Sequence, residues 1–141
     1  MSVMDWARWN QNAHPELELL HHCPNGGSRN KAEAVKLKQI GVKAGIPDLC
    51  LPVPMGMYSG LYIEMKYDAG RLEDSQKKML KALAAAGHYC TVCYGAEEAI
   101  RVLQEYINLK KIDTGNREDT MSEQNLMVRK NGKVKCIIFK E

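Results

Sequence analysis

Apolar and polar positions alternate cleanly over residues 60–67. Leu61, Ile63, Met65 and Tyr67 fall on one face, and Tyr62, Glu64 and Lys66 on the other. A period of two predicts a β-strand there. Residues 89–94 read as a buried strand, and the apolar run after Pro47, closed by Pro52, fits a shorter one. A period near 3.6 predicts helices over about 73–86 and 97–109. A short helix is expected over 4–12, with Trp6 and Trp9 three apart on one face, and a strand over 17–23. Pro24-Asn25-Gly26-Gly27 ends that strand as a loop. Ser28 is a plausible N-cap for a helix over 31–40 whose apolar positions are Ala34, Leu37 and Ile40, with Gly41 closing it.

The order strand, strand, helix, strand, helix implies an α/β domain with a mixed sheet and helices packed against it. The helix between the Glu64 strand and the Cys90 strand acts as a crossover, which makes those two strands parallel neighbours. Residues 1–112 form this domain. Residues 113–125 turn polar and lose periodicity, which reads as a linker. Within 126–141, two strand-like runs flank Asn131-Gly132, a strong hairpin signal. A lone hairpin is marginal, so it has to pack on the domain or on a second copy.

At 141 residues the chain holds one compact domain of ordinary size. A net charge of +3 permits a polyanionic partner without arguing for one. No apolar run is long enough for a transmembrane helix. The first residues lack signal-peptide order, so a cytoplasmic place is expected, in a bacterium or a phage-infected host. Five cysteines, an odd number, fit reduced thiols in such a compartment. Cys90 and Cys93 have the spacing of a zinc knuckle. On a strand, however, positions three apart face opposite ways, and no second pair exists to complete a tetrahedral site.

The candidate chemistry lies in Asp48, Glu64 and Lys66. Glu64 and Lys66 project from the same face of one strand, and Asp48 begins the strand before it. If those strands pair as a hairpin, the two carboxylates face each other across one cleft. Two carboxylates with open positions between them suit Mg²⁺ or Mn²⁺, hard cations that keep several waters. A lysine beside them can orient a nucleophile and stabilise a phosphoryl transition state. Glu-x-Lys on a strand is by itself common as a solvated ion pair. The weight comes from the joint order Gly-x-Pro-Asp, apolar strand, then Glu-x-Lys.

Pro47-Asp48 followed by Glu64-Met65-Lys66 resembles the PD-(D/E)xK nuclease motif. The wider pattern is similar to the virus-type replication-repair nuclease (VRR-NUC) branch. It is carried by His22-Cys23-Pro24-Asn25-Gly26-Gly27, by residues 36–49 with Gly45-Ile46-Pro47-Asp48, by Gly60-Leu61-Tyr62-Ile63-Glu64-Met65-Lys66, and by Gln76. The resemblance implies a restriction-endonuclease-like fold. It also implies metal ligation by Asp48, Glu64 and the backbone carbonyl of Met65, with Lys66 as the catalytic lysine and Gln76 as the helix glutamine of the site. Family members also carry an acidic residue in the first helix, followed by a glutamine. Here only Asp5 precedes Trp6, at a different spacing, and Glu16 and Glu18 fall beyond the expected helix.

Nucleic acid would be held by the basic residues ahead of the site. Lys31 and Lys38, seven apart, can share a helix face, with Arg29 and Lys43 nearby. Asn25 and Gly26 offer backbone N–H groups near a helix start, where phosphate can dock. His21 and His22 either reach the site or sit at a strand end, the structural role being favoured. The resemblance further implies a homodimer acting on branched DNA such as four-way junctions. Two other readings stay open: a branched-DNA-binding module with little or no cleavage, and a duplex-cutting endonuclease of restriction type.

Overall fold

The computed structural model describes residues 1–24, 30–109, 121, 127–130 and 133–136. Helix α1 (Val3–Asn10) is capped by Ser2, whose hydroxyl accepts from the Asp5 N–H. A 3-10 turn (Pro15–Leu19) leads into β1 (His21–His22), followed by α2 (Lys31–Gln39), β2 (Leu49–Leu51) and β3 (Leu61–Lys66). Then come α3 (Asp74–Ala85), β4 (Tyr89–Tyr94) and α4 (Ala96–Ile107). A separate antiparallel pair, β5 (Met127–Lys130) and β6 (Lys133–Cys136), sets Lys130 opposite Lys133. The Asn131-Gly132 turn of that expected hairpin lies outside the described residues. So does the stretch 113–125 apart from Met121, which is buried in the core.

The four-stranded sheet runs β1-β2-β3-β4, antiparallel except for the parallel pair β3–β4. A parallel neighbour cannot be reached by a tight turn, and α3 supplies the crossover that this pairing needs. The result is the mixed α/β sheet flanked by helices that the order of elements implies.

Helices cover both faces. On one, Leu49, Leu51, Leu61, Ile63 and Cys93 meet Val3, Trp6 and Ala7 of α1 and Ala99, Val102, Leu103 and Tyr106 of α4. The α4 positions recur at three- and four-residue spacing, which turns one stripe of the helix onto the sheet. On the other face, Leu80 of α3 packs on Cys90, Val92 and Tyr94, with Tyr62, Leu72 and Leu83 at its margin. Cys90 and Cys93 therefore sit on opposite sides of the sheet, each a free buried thiol.

Four local expectations are corrected. Trp9 does not share the buried face with Trp6: it is 73% exposed against 8%. At 100° per residue the buried stripe is Val3, Trp6 and Ala7, and a step of three carries Trp9 past its edge. Second, most of 17–23 is not strand. Pro15 starts a 3-10 turn, and Leu17 and Leu20, three apart, are buried together by it, which leaves a strand of His21–His22.

Third, the cap of α2 is Asn30, whose side chain accepts from the Glu33 N–H; Ser28 lies outside the described residues. Fourth, the apolar positions given to that helix do not enter a core. No residue of α2 is buried, and Ile40 is 71% exposed. The helix is an exposed arm between β1 and β2 in the chain.

Candidate active site

Asp48 enters β2 behind Pro47, a fully buried side chain. Its carbonyl accepts from the Cys23 N–H at 2.7 Å, which continues the β1–β2 pairing by one step. Its side chain continues the other edge: Oδ2 accepts from the Met65 N–H at 2.7 Å. The carboxylate thus takes the place of the next backbone acceptor beyond the Leu49–Ile63 pair. This fixes the carboxylate at the strand edge, beside Glu64. N–H and C=O of one strand residue point to the same edge, so the Met65 carbonyl opens on the Asp48 side.

Glu64 lies on β3 between two covered faces and is 3% exposed. Its Oε1 accepts from Gln76 Nε2 at 2.9 Å and stands 3.6 Å from Lys66 Nζ. Burial raises the carboxyl to a pKa of about 7; the charge on Asp48 adds to this, and Lys66 acts against it. Two carboxylates in one desolvated corner make a site that a cation would relieve.

Gln76 reaches Glu64 because both its ends are tied. It forms a reciprocal capping box with Glu73 at the start of α3, with Oε1 accepting from the Glu73 N–H at 2.9 Å. That first turn is drawn close by Gly45, which has φ +84°. A Cβ on Gly45 would sit 2.3 Å from the Ser75 carbonyl oxygen, so only glycine admits this approach. The loop that delivers Asp48 and the helix that delivers Gln76 are thereby clasped together.

The structure brings Asp48, Glu64, Lys66 and Gln76 into one cluster. Lys31, Lys38 and Lys43 are exposed on and after α2, in the segment that leads to Asp48. Asn25, Gly26 and Arg29 lie outside the described residues. Asp5 does not join the carboxylates: it is tied to Ser2 and Arg8, which hold its pKa below the usual value. Glu16 faces His14 at 3.7 Å. Among the described residues no group of three or more His, Cys, Asp or Glu side chains is placed to hold an ion. The available donors are hard oxygens, two carboxylates and one carbonyl, which leaves open positions for water and fits Mg²⁺ or Mn²⁺ better than a softer metal.

Sequence reasoning gave His22 chiefly a structural role, yet His22 helps line a cavity of about 370 Å³ with Ser2, Asp48, Met65 and Tyr67. Its place follows from register, since His22 pairs with Leu49, the neighbour of Asp48. Gly45 also carried no signal beyond its place in the motif, because its partner lies 30 positions away on another element.

A mixed sheet that gathers a carboxylate pair and a lysine at the end of its central hairpin defines the PD-(D/E)xK class of nuclease fold. A model of the VRR-NUC domain matches residues 2–97, and the chain belongs to that family of nuclease domains. It is similar to a solved structure described as a VRR_NUC domain protein, with 36% identity, a TM-score of 0.67, and coverage of 79% of this chain and 86% of that one. No curated protein matches the chain. No helix among the described residues is long and apolar enough to cross a membrane.

Proposed function

We propose that this nuclease domain hydrolyses phosphodiester bonds of DNA with Mg²⁺ or Mn²⁺, and that its preferred substrate is branched. The observation that carries the reading is the convergence of Asp48, Glu64 and Lys66, with Glu64 buried and raised to a pKa of about 7 beside a second carboxylate. Asp48, Glu64 and the Met65 carbonyl would hold the cation. When bound, a divalent cation supplies Lewis acidity toward a phosphate oxygen and lowers the pKa of water.

The protein's own groups do the rest. Gln76 fixes the orientation of the Glu64 carboxylate through its amide N–H. The ammonium of Lys66 stands beside Glu64, where negative charge would gather on the transferring phosphoryl group. Met65 holds Asp48 to the strand edge, so the two carboxylates keep one spacing. The exposed lysines of the α2 arm carry phosphate contacts, and two copies related by a two-fold axis would present two sites to a symmetric junction.

A second reading has a specific observation behind it. No third carboxylate completes the site among the described residues, so the domain could hold branched DNA and cut it weakly or not at all. The two part on cation dependence. End-labelled four-way junction, flap and plain duplex are incubated with Mn²⁺, with EDTA, and with the Lys66→Ala variant. Cutting that needs both Mn²⁺ and Lys66, strongest on the branched substrates, is the expected result. Tight junction binding in EDTA with no cutting in Mn²⁺ would favour the binding module. Equal cutting of plain duplex would point to a restriction-type enzyme.

A further inference from the structure

We propose that Tyr94 is a positioning residue for Lys66, acting through the turn at Gly70. The inference rests on the reading of Lys66 as the lysine of the nuclease site. Lys66 ends β3 and is paired in register with Tyr94, the last residue of β4. Beyond Lys66 the chain turns back sharply, with Asp68 at φ +51° and the Gly70 N–H donating to the Tyr67 carbonyl at 2.9 Å.

The turn lays Gly70 against the aliphatic stem of Lys66. A Cβ on Gly70 would stand 3.5 Å from Lys66 Cδ and 3.7 Å from Lys66 Cβ. The Tyr94 hydroxyl donates to the Gly70 carbonyl at 2.8 Å and so ties this turn to the sheet. The Tyr94 ring belongs to the core beneath α3 and is 6% exposed, so the hydroxyl cannot wander. The lysine stem therefore lies along a wall that the buried Tyr94 hydroxyl ties to the sheet.

The backbone of Lys66 is held by other means. Its carbonyl accepts from the Gly95 N–H at 3.0 Å, and the β3–β4 ladder runs through it. Removing the hydroxyl of Tyr94 releases the wall and leaves the strand in place. The ammonium, 3.6 Å from Glu64 Oε1, would then sample more positions. A long flexible stem with four rotatable bonds needs such a wall, since it has considerable rotamer entropy to lose.

Tyr94→Phe tests this, because it keeps the ring and its packing. Two readouts are taken, one of which is independent of cleavage. The first is the rate of Lys66 acylation by a small anhydride, followed by mass spectrometry, with exposed Lys77 and Lys81 as internal references. The expected result is a rise of about threefold or more at Lys66 alone, the scale of loosening one hydrogen-bonded contact. An unchanged Lys66 rate overturns the inference whether or not the protein cuts DNA, and an equal rise at all three lysines overturns it in favour of general loosening.

The second readout is turnover. In the wild-type background kcat is expected to fall about tenfold with KM held, as for a contact made only in the transition state. In a Lys66→Ala background the same change should do nothing further. A Tyr94→Phe effect that persists without Lys66 assigns the hydroxyl a structural role and overturns the inference. Failure of Lys66→Ala itself to reduce cutting would instead sink the underlying reading of the site, while leaving the acylation result interpretable.

Discussion

Gln76 Nε2 donates to Glu64 Oε1 at 2.9 Å, so the first turn of α3 is bonded directly to the buried carboxylate of β3. The same side chain closes the α3 capping box, which gives it one job in stability and one in the site. Gln76→Leu removes both. The cap loss should cost about 1 kcal/mol in urea unfolding. Cleavage should fall about tenfold or more, because an unanchored Glu64 no longer presents a fixed oxygen. A variant as unstable as expected but fully active would show that the Gln76–Glu64 bond serves folding alone.

The raised pKa of Glu64 gives a pH dependence whose sign can be worked out. The folded-state value is about 7 against an ordinary value of 4.5, so the folded protein binds this proton more tightly than the unfolded one. The contribution to stability is therefore complete below about 4.5 and is lost as pH rises through about 7. For metal-free protein the loss is at most ~3 kcal/mol. Melting temperature in EDTA should accordingly decline between pH 5 and 8, an interval taken from these two values. Added Mn²⁺ should reverse the decline at the upper end, where Glu64 is ionised, and do little at the lower end. A metal-free melting temperature that climbs steadily across the interval would contradict the assignment of Glu64 as a desolvated acid.

Gly41 and Gly45 both have positive φ, at +100° and +84°, but only Gly45 has backbone against it. Gly41→Ala should therefore cost only conformational strain, about 1 kcal/mol. Gly45→Ala adds a Cβ at 2.3 Å from the Ser75 carbonyl oxygen and must push the α3 turn away. It should cost clearly more, roughly 2–4 kcal/mol, and should weaken Mn²⁺ binding as Gln76 leaves Glu64. Paired urea curves and a Mn²⁺ titration check both claims, and equal costs for the two alanines would remove the clasp from the account.

What the sequence made legible here has a common physical character: it is local. The alternation over β3 put Glu64 and Lys66 on one face because a strand has a period of two, and α3 as a crossover made β3 and β4 parallel. Cys90 and Cys93 parted for the same reason. What stayed hidden depends on partners distant in sequence. Gly45 against Ser75, His22 beside Asp48, and the Tyr94 hydroxyl on Gly70 are set by register and loop approach, to which no periodicity points. The α2 arm misled as well. Its apolar positions recur at a spacing of three, yet no residue of the helix is buried.

Trp6 and Trp9 differ in the same way, and their substitutions should separate cleanly. Trp6 packs into the cluster formed by α1, α4 and the sheet, so Trp6→Ala opens a cavity and should cost roughly 3–5 kcal/mol. Trp9 is 73% exposed, and Trp9→Ala should change stability by no more than about 0.5 kcal/mol. Urea midpoints of the two variants decide it. A large loss at Trp9 would mean that its exposed ring is covered in solution, by a second copy or by residues outside those described.

The α2 arm should act on affinity and not on chemistry. Lys31, Lys38 and Lys43 are exposed, none is in the Asp48–Glu64 cluster, and the arm they occupy joins the sheet beside Asp48. If they neutralise phosphates, each releases counterions on binding, and removing one should flatten the dependence of log K on log salt by about 0.9. The triple variant Lys31→Ala, Lys38→Ala and Lys43→Ala should therefore lose up to about three units of slope and raise KM several-fold, with kcat at saturating DNA unchanged. Stability should barely move, since no residue of α2 is buried. Binding measured by fluorescence anisotropy from low to high salt, with single-turnover cutting on the same junction, separates the terms. An unchanged slope would move the nucleic-acid path off the arm. A fall in kcat with the slope intact would mean that the arm shapes the site at Asp48 instead of holding the substrate.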